Sequence, residues 1–82
     1  MPVSGIVLTC VAARVDYIAL QLATVDGVEV HDVLPDGRIV AVVEADTVDD
    51  EVELVMELQG IEDVISVQMA YHNFEDVGAE RP

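Results

Sequence analysis

Two stretches of the chain repeat one hydrophobic spacing 36 positions apart, and this repeat constrains the fold more than any other feature. The matched positions are Ile18, Leu22, Val25 and Val28 in the first stretch and Leu54, Leu58, Ile61 and Val64 in the second. Each stretch has the spacing of an amphipathic helix that stops near a glycine and leads into an apolar strand. The same offset aligns Ile6 and Val7 with Val42 and Val43, so the repeat indicates two β-α-β halves.

The predicted elements follow the order β-α-β-β-α-β. Strands are expected at residues 4–10, 28–34, 38–45 and from 64 onward, and helices at 15–24 and 48–59. Pro35, Asp36 and Gly37 predict a hairpin turn between the halves, because proline fixes one turn angle and glycine accepts a positive φ. Asp46 or Thr47 can cap the second helix. This pattern predicts an α+β, ferredoxin-like fold: a four-stranded antiparallel sheet of order 4-1-3-2 with both helices on one face.

Length and charge limit the class of protein. One domain is expected over residues 1–76, followed by a flexible polar tail at 77–82. The formal net charge is −14, with three arginines and no lysine, and this excludes nucleic acid as a partner because phosphate contacts need Lys and Arg. The acidity favours a basic partner, or it reflects adaptation to a salt-rich cytoplasm, and both explanations can hold.

A cytoplasmic protein without membrane contact is expected. The longest apolar runs are too short to span a bilayer, and residues 1–9 lack the basic region of a secretory signal. Cys10 has no second cysteine for a disulfide or a Cys-based metal site, and His31 and His72 fall on different strands. With no phosphate loop and no nucleophile–base pair, we expect no metal, no cofactor and no enzymatic activity.

The last strand alternates between large apolar and small polar side chains, which predicts a sheet with one face covered by helices and one face open. The predicted open face consists of Gly5, Val7, Thr9, Ile39, Ala41, Val43, Ser66, Gln68, Ala70 and His72. An exposed, half-apolar face of this kind favours either a foreign ligand or a homodimer that pairs the sheets face to face. The mixed pattern of the second strand leaves its register, and hence the face of Glu29 and His31, undetermined.

Three segments of the chain resemble the NapD family of small cytoplasmic chaperones. They are the first strand at Ser4-Gly5-Ile6-Val7-Leu8, the run from Asp36-Gly37-Arg38-Ile39-Val40 into Val43-Glu44-Ala45-Asp46, and the strand ending Tyr71-His72 followed by Glu75. The segments occur in the same order and at a similar spacing as in the family. The resemblance covers roughly residues 4 to 76.

The resemblance implies a function. Proteins of this family bind the twin-arginine (Tat) signal peptide of the catalytic subunit of the periplasmic nitrate reductase, and they delay its export until the molybdenum cofactor is loaded. It further implies that the peptide binds as a helix on the open face, and that the free protein is a monomer. The candidate contacts for the peptide arginines are four acids, Glu44, Asp46, Glu75 and Asp76.

A second class of protein shares the same element order. The chain is also similar to stand-alone amino-acid-sensing domains of the Lrp/AsnC type, which have the helix-to-strand entry found here at Asp26-Gly27-Val28. Such sensors usually have a longer sensing loop than Pro35-Asp36-Gly37, and they bind their ligands at oligomer interfaces. A stable oligomer would therefore favour a sensor, and a monomer would favour a peptide chaperone.

Overall fold

A computed structural model describes residues 2–74 of the chain, and for residues 71–74 it describes the backbone alone. The strands are β1 (Pro2–Cys10), β2 (Val28–Val33), β3 (Arg38–Glu44) and β4 (Val64–Phe74), and the helices are α1 (Val15–Ala23) and α2 (Val48–Gln59). A short 3₁₀ turn, Ala12–Arg14, leads directly into α1. The predicted order β-α-β-β-α-β is therefore confirmed, and the predicted tail lies outside the described residues.

The four strands form one antiparallel sheet of order β2-β3-β1-β4, which confirms the predicted ferredoxin-like topology. The hairpin between β2 and β3 turns at Gly37, whose φ of 104° is in the region that favours glycine. A Cβ at this glycine would clash with the Cys10 carbonyl oxygen, because the Cys10 N–H donates to the Gly37 carbonyl at 2.8 Å. The turn is thus fixed against the end of the central strand.

Helix α2 begins at a capped end. The Thr47 side-chain oxygen accepts a hydrogen bond from the Asp50 N–H at 3.1 Å, and three acids occupy the first turn, where the helix dipole favours negative charge. The Gly60 N–H donates to carbonyl oxygens of the last turn and closes the helix. The predicted cap at Thr47 and the predicted end at Gly60 are both confirmed.

The hydrophobic core lies between the helices and one face of the sheet. Its buried members are Ile6, Leu8 and Cys10 of β1, Val15, Ile18 and Leu22 of α1, Ile39, Ala41 and Val43 of β3, and Leu58 of α2. The prediction that Ile39, Ala41 and Val43 lie on the open face is therefore wrong, since all three are 0% exposed beneath the helices. Strand β3 is apolar on both sides, and that pattern did not reveal which parity faces the helices.

The buried stripe of α2 differs in part from the one that its spacing predicts, which consists of Val48, Val52, Val55 and Leu58. Val48 and Val52 are 42% and 49% exposed, whereas Glu51 is buried. The Glu51 carboxylate accepts a hydrogen bond from the Ser4 hydroxyl at 2.7 Å, and this bond joins α2 to the central strand β1. A hydrogen bond from a hydroxyl offsets part of the cost of burying a charged group, so a carboxylate can occupy the buried side of α2.

Candidate functional site

The face of the sheet away from the helices is built from the residues that alternate with the core positions. Strand pairing sets Val7 opposite Val40 and Gly5 opposite Val42, on the two central strands. These three valines form the floor of the face, and we refer to Val7, Val40 and Val42 as the valine floor. Each is half-buried, because the neighbouring strands cover its sides and neither helix covers its top. The glycine opposite Val42 keeps the floor shallow.

Polar residues border the valine floor on the β4 side. Gln68 of β4 lies opposite Val7, and Ser66 lies opposite Thr9. Neither Gln68 nor Ser66 carries a formal charge, so the border on this side is neutral.

Acidic residues border the floor on the β2 side. Glu29 lies opposite Val42, and Asp32 lies opposite Val40, so both share the open face with the floor. Glu44, at the end of β3, lies opposite Val3 and is exposed on the same face of the sheet. We refer to Glu29, Asp32 and Glu44 as the acidic rim. A helical ligand on this face would therefore meet negative charge along one flank only.

The basic groups of the described chain do not neutralise this rim. The Arg38 Nε lies 2.9 Å from Asp36 Oδ2, within the hairpin turn. The Arg14 Nε lies 3.2 Å from Asp63 Oδ2, and its guanidinium lies over the Tyr17 ring at 4.5 Å. Neither arginine therefore pairs with the rim, whose own contacts are a distance of 3.8 Å between His31 Nε2 and Glu29 Oε1 and a hydrogen bond of 2.9 Å from the Val33 N–H to Asp32 Oδ1. A carboxylate has lone pairs for several donors, so the rim can still bind an external cation.

Several residues predicted for the open face do lie there. They are Gly5, Val7, Thr9, Ser66 and Gln68. In place of Ile39, Ala41 and Val43, the structure brings Val40 and Val42 to the face. The sequence did indicate this face. Arg38 and Glu44 alternate in step with Val40 and Val42, and charged residues at the ends of a strand usually lie on its solvent-facing side.

The alternation of β4 does not continue to His72. An irregularity in the β1–β4 pairing sets Met69 opposite Ile6 and Tyr71 opposite Gly5, so Ala70 has no partner in the register. The backbone of His72 pairs with Ser4 of β1, and the predicted place of the His72 side chain on the open face lies outside what the structure describes. A bulge adds one residue to one strand, and this shifts every later position to the other parity.

The predicted acidic contacts are only partly assembled on the face. Glu44 belongs to the rim, whereas Asp46 lines a separate acidic groove between α2 and the end of β3, together with Asp26 and Asp50. Glu75 and Asp76 lie outside the described residues. Sequence reasoning missed Glu29 and Asp32, because a second irregularity between Val30 and Asp32 breaks the simple alternation of β2.

Within the described part of the chain, neither helix is long and apolar enough to cross a membrane. The same residues contain no group of three or more His, Cys, Asp or Glu side chains placed to hold a metal ion.

Comparisons with known proteins identify the family. The profile of the NapD protein family matches residues 1–76. Among solved structures, the solution structure of the E. coli Tat proofreading chaperone protein NapD matches with a TM-score of 0.80 and 30% sequence identity, over 98% of this chain and 85% of that chain. No curated protein sequence matches significantly. On the family profile and this structural match together, the chain belongs to the NapD family.

Proposed function

We propose that this protein is a cytoplasmic chaperone that binds the twin-arginine signal peptide of a periplasmic nitrate reductase catalytic subunit on the open face of its sheet. The observation that carries the proposal is the pairing of the valine floor with the acidic rim on one flank. Family membership and the match to a Tat proofreading chaperone support a chaperone rather than an enzyme or an amino-acid sensor.

The dimensions of the face suit one peptide helix. Neighbouring strands lie about 4.8 Å apart, so the four strands span roughly 14 Å, and an α-helix with its side chains is about 10 Å wide. A helix laid across the floor would place apolar side chains on Val7, Val40 and Val42. Larger side chains on the floor would prevent this approach, and the floor has none.

Charge explains the role of the two arginines. Arginine forms bidentate hydrogen bonds with carboxylates, and Glu29, Asp32 and Glu44 are exposed beside the floor. A net charge of −14 also attracts a cationic peptide over a distance. We infer that the floor supplies contact area and that the rim fixes the direction of the peptide. By occupying the signal, the protein would delay export until the molybdenum cofactor is loaded.

Calorimetric titration with the signal peptide of the client reductase tests the proposal. A matched peptide with both arginines replaced by glutamine is the first comparison, and it should bind more weakly. Val42→Glu should abolish binding, because it places a carboxylate in the centre of the floor. Leu20→Glu on α1 is the control, since Leu20 is 71% exposed on a helix away from the face and receives the same charge.

Two results would contradict the proposal. One is equal binding of the arginine and glutamine peptides, which would exclude recognition of the twin arginines. The other is equal loss of binding in Val42→Glu and Leu20→Glu, which would place the site elsewhere or reflect net charge alone. A stable oligomer that changes its size on addition of amino acids, with no peptide binding, would favour a ligand sensor instead.

A further inference from the structure

The two edges of the sheet are built differently. Strand β2 has six residues, contains an irregularity, and carries Glu29 and Asp32. Short, bulged and charged edges resist pairing with other strands. Strand β4 has eleven residues, Val64–Phe74, and contains no Asp, Glu, Lys or Arg in a chain of which 24% is charged. Among the described residues β4 pairs with β1 only, so its other edge offers unpaired backbone groups.

Apolar side chains are exposed on this same side of the molecule. Ile65 and Met69 of β4 are 68% and 49% exposed. Helix α2 packs over β4, and its residues Val48, Val52 and Met56 are 42%, 49% and 63% exposed. These five residues, with the free edge of β4, are called the β4 strip below. Isolated exposed apolar residues are ordinary, but a row beside an unpaired strand is typical of an interaction site.

The position of the strip on α2 is set by helix geometry. Val48, Val52 and Met56 are spaced four residues apart and so lie along one flank of the helix. Asp50, Glu53 and Glu57 lie on the opposite flank, where they line the acidic groove near Gly27 and Glu44. Since α1 packs over β2 and α2 over β4, the groove flank is directed toward α1 and the apolar flank toward the outer edge of β4.

We propose that the β4 strip pairs with the β4 strip of a second copy of this chain, antiparallel across a two-fold axis. Such a dimer sets each residue against the same surface of its partner, and like charges placed opposite one another are destabilising. Dimers through β2 or through the open face would bring acidic rims together. No residue of the β4 strip carries a formal charge, so a chain of net charge −14 can meet its own copy along the strip itself, with the carboxylates of Asp49, Glu62 and Asp63 at its border.

This dimer does not depend on the proposed function and is compatible with it. Edge-to-edge pairing extends the sheet and leaves both open faces accessible, unlike a dimer that pairs the sheets face to face. The proposed dimer differs from the expectation of a free monomer. We expect its association to be weak and salt-dependent, because the remaining acidic surfaces repel one another and salt screens that repulsion.

Analytical ultracentrifugation over a range of concentrations, in dilute buffer and in molar salt, tests this proposal. The unmodified chain should form a dimer at high concentration, and salt should strengthen it. Ile65→Lys should weaken the dimer at least about tenfold, because it replaces an exposed apolar side chain of the strip by a charged one that would lose water on pairing. Leu20→Lys is the matched control, with the same charge change at a site that is 71% exposed against 68% for Ile65. It should leave the dimer intact.

Further variants separate this dimer from its alternatives. Val42→Lys should leave the dimer intact, whereas it would dissolve a face-to-face dimer. Ile65→Lys should retain signal-peptide binding, so failure of the dimer and failure of the proposed function give different results. A chain that stays monomeric at every concentration and salt level would overturn the proposal, and so would equal weakening by Ile65→Lys and Leu20→Lys. Pairing of the strip only with an added extended apolar peptide would also overturn it, in favour of a different partner.

Discussion

The two faces of the sheet are made from neighbouring residues of the same strands, yet they have opposite roles. On β3, Ile39, Ala41 and Val43 are fully buried beneath the helices, while Val40 and Val42 are half-buried on the open face. Both sets are apolar, so hydrophobicity does not distinguish them. What distinguishes them is the helix layer, which covers one face and leaves the other able to receive an apolar ligand.

The largest expected effect is the difference between introducing a glutamate at Val43, on the covered face, and introducing it at the neighbouring Val42, on the open face. Val43→Glu should unfold the protein, because it buries a carboxylate in the core without a partner provided for it. The cost of several kcal/mol is comparable with the whole stability of a small domain, about 5–15 kcal/mol. Val42→Glu should remain folded and lose only peptide binding. Thermal unfolding followed by circular dichroism, together with peptide titration, measures both effects.

The reverse outcome would show that the two faces have been assigned wrongly. If Val43→Glu folded with normal cooperativity and Val42→Glu did not, β3 would have the opposite parity. Val42→Lys is a useful companion variant, because it tests whether the protein still folds with a charge of the opposite sign at the same position. If a cationic peptide binds this acidic protein as proposed, Val42→Lys should impair binding at least as strongly as Val42→Glu.

A second comparison concerns two serines, one on the helix-covered face of the sheet and one on the open face. Ser4 donates its hydroxyl to the buried Glu51 carboxylate at 2.7 Å, and Ser66 lies half-buried on the open face. Ser4→Ala should lower the free energy of unfolding by about 1–3 kcal/mol, because a buried charged acceptor loses a donor. Ser66→Ala should change stability by less than about 0.5 kcal/mol. Urea denaturation of both variants measures the difference, and equal effects would argue against a role of the Ser4–Glu51 bond in stability.

The element order, the strand order and the facing of β1 followed from the sequence because each rests on a clear local pattern. Ile6, Leu8 and Cys10 alternate with smaller or polar residues, and Pro35 to Gly37 allow little besides a tight turn. The sequence of β3 shows no alternation between apolar and polar residues, because both of its faces are apolar. Only Arg38 and Glu44 at its ends indicated the true parity.

The rest of the site depends on irregularities that spacing does not show. The pairing shift at Val30/Asp32 inserts one position into β2 and so brings Glu29 and Asp32 onto the same face, and a similar shift at Gly5/Ile6 changes the pairing of β4 with β1. The burial of Glu51 was missed for a different reason. A glutamate in the first turn of a helix is fully explained by the helix dipole, and its hydrogen bond to Ser4 joins residues 47 positions apart.

A smaller effect is expected when the acidic rim alone is changed. Replacing Glu29 by Gln and Asp32 by Asn should weaken peptide binding by about tenfold, since each removes a charge-assisted partner at an exposed site. The matched control is Asp49→Asn with Glu53→Gln on α2, which makes the same change in net charge on the helix side. Titration at two salt concentrations should show a reduced salt dependence for the rim variant only. Equal losses in both variants would indicate net charge rather than the rim.

The smallest effect concerns the single thiol, which lies on the core face. Burial, with a further contribution from the Asp63 carboxylate, raises the pKa of the Cys10 thiol. The folded protein therefore holds this proton more tightly than the unfolded chain. The resulting stability is fully present below the pKa of the unfolded thiol, about 8.5, and is lost as pH rises through the higher folded value.

Two measurements test the burial of Cys10 and the loss of stability expected at high pH. Native Cys10 should react slowly with a thiol reagent at neutral pH, whereas Ser66→Cys on the open face should supply a fast-reacting thiol in the same protein. Urea denaturation at neutral pH and at about pH 10 should show a loss of stability that is smaller in Cys10→Ala, which has no thiol to titrate. Rapid reaction of the unmodified protein at neutral pH would contradict the burial of Cys10, and with it the assignment of the even-numbered β1 residues to the helix-covered face.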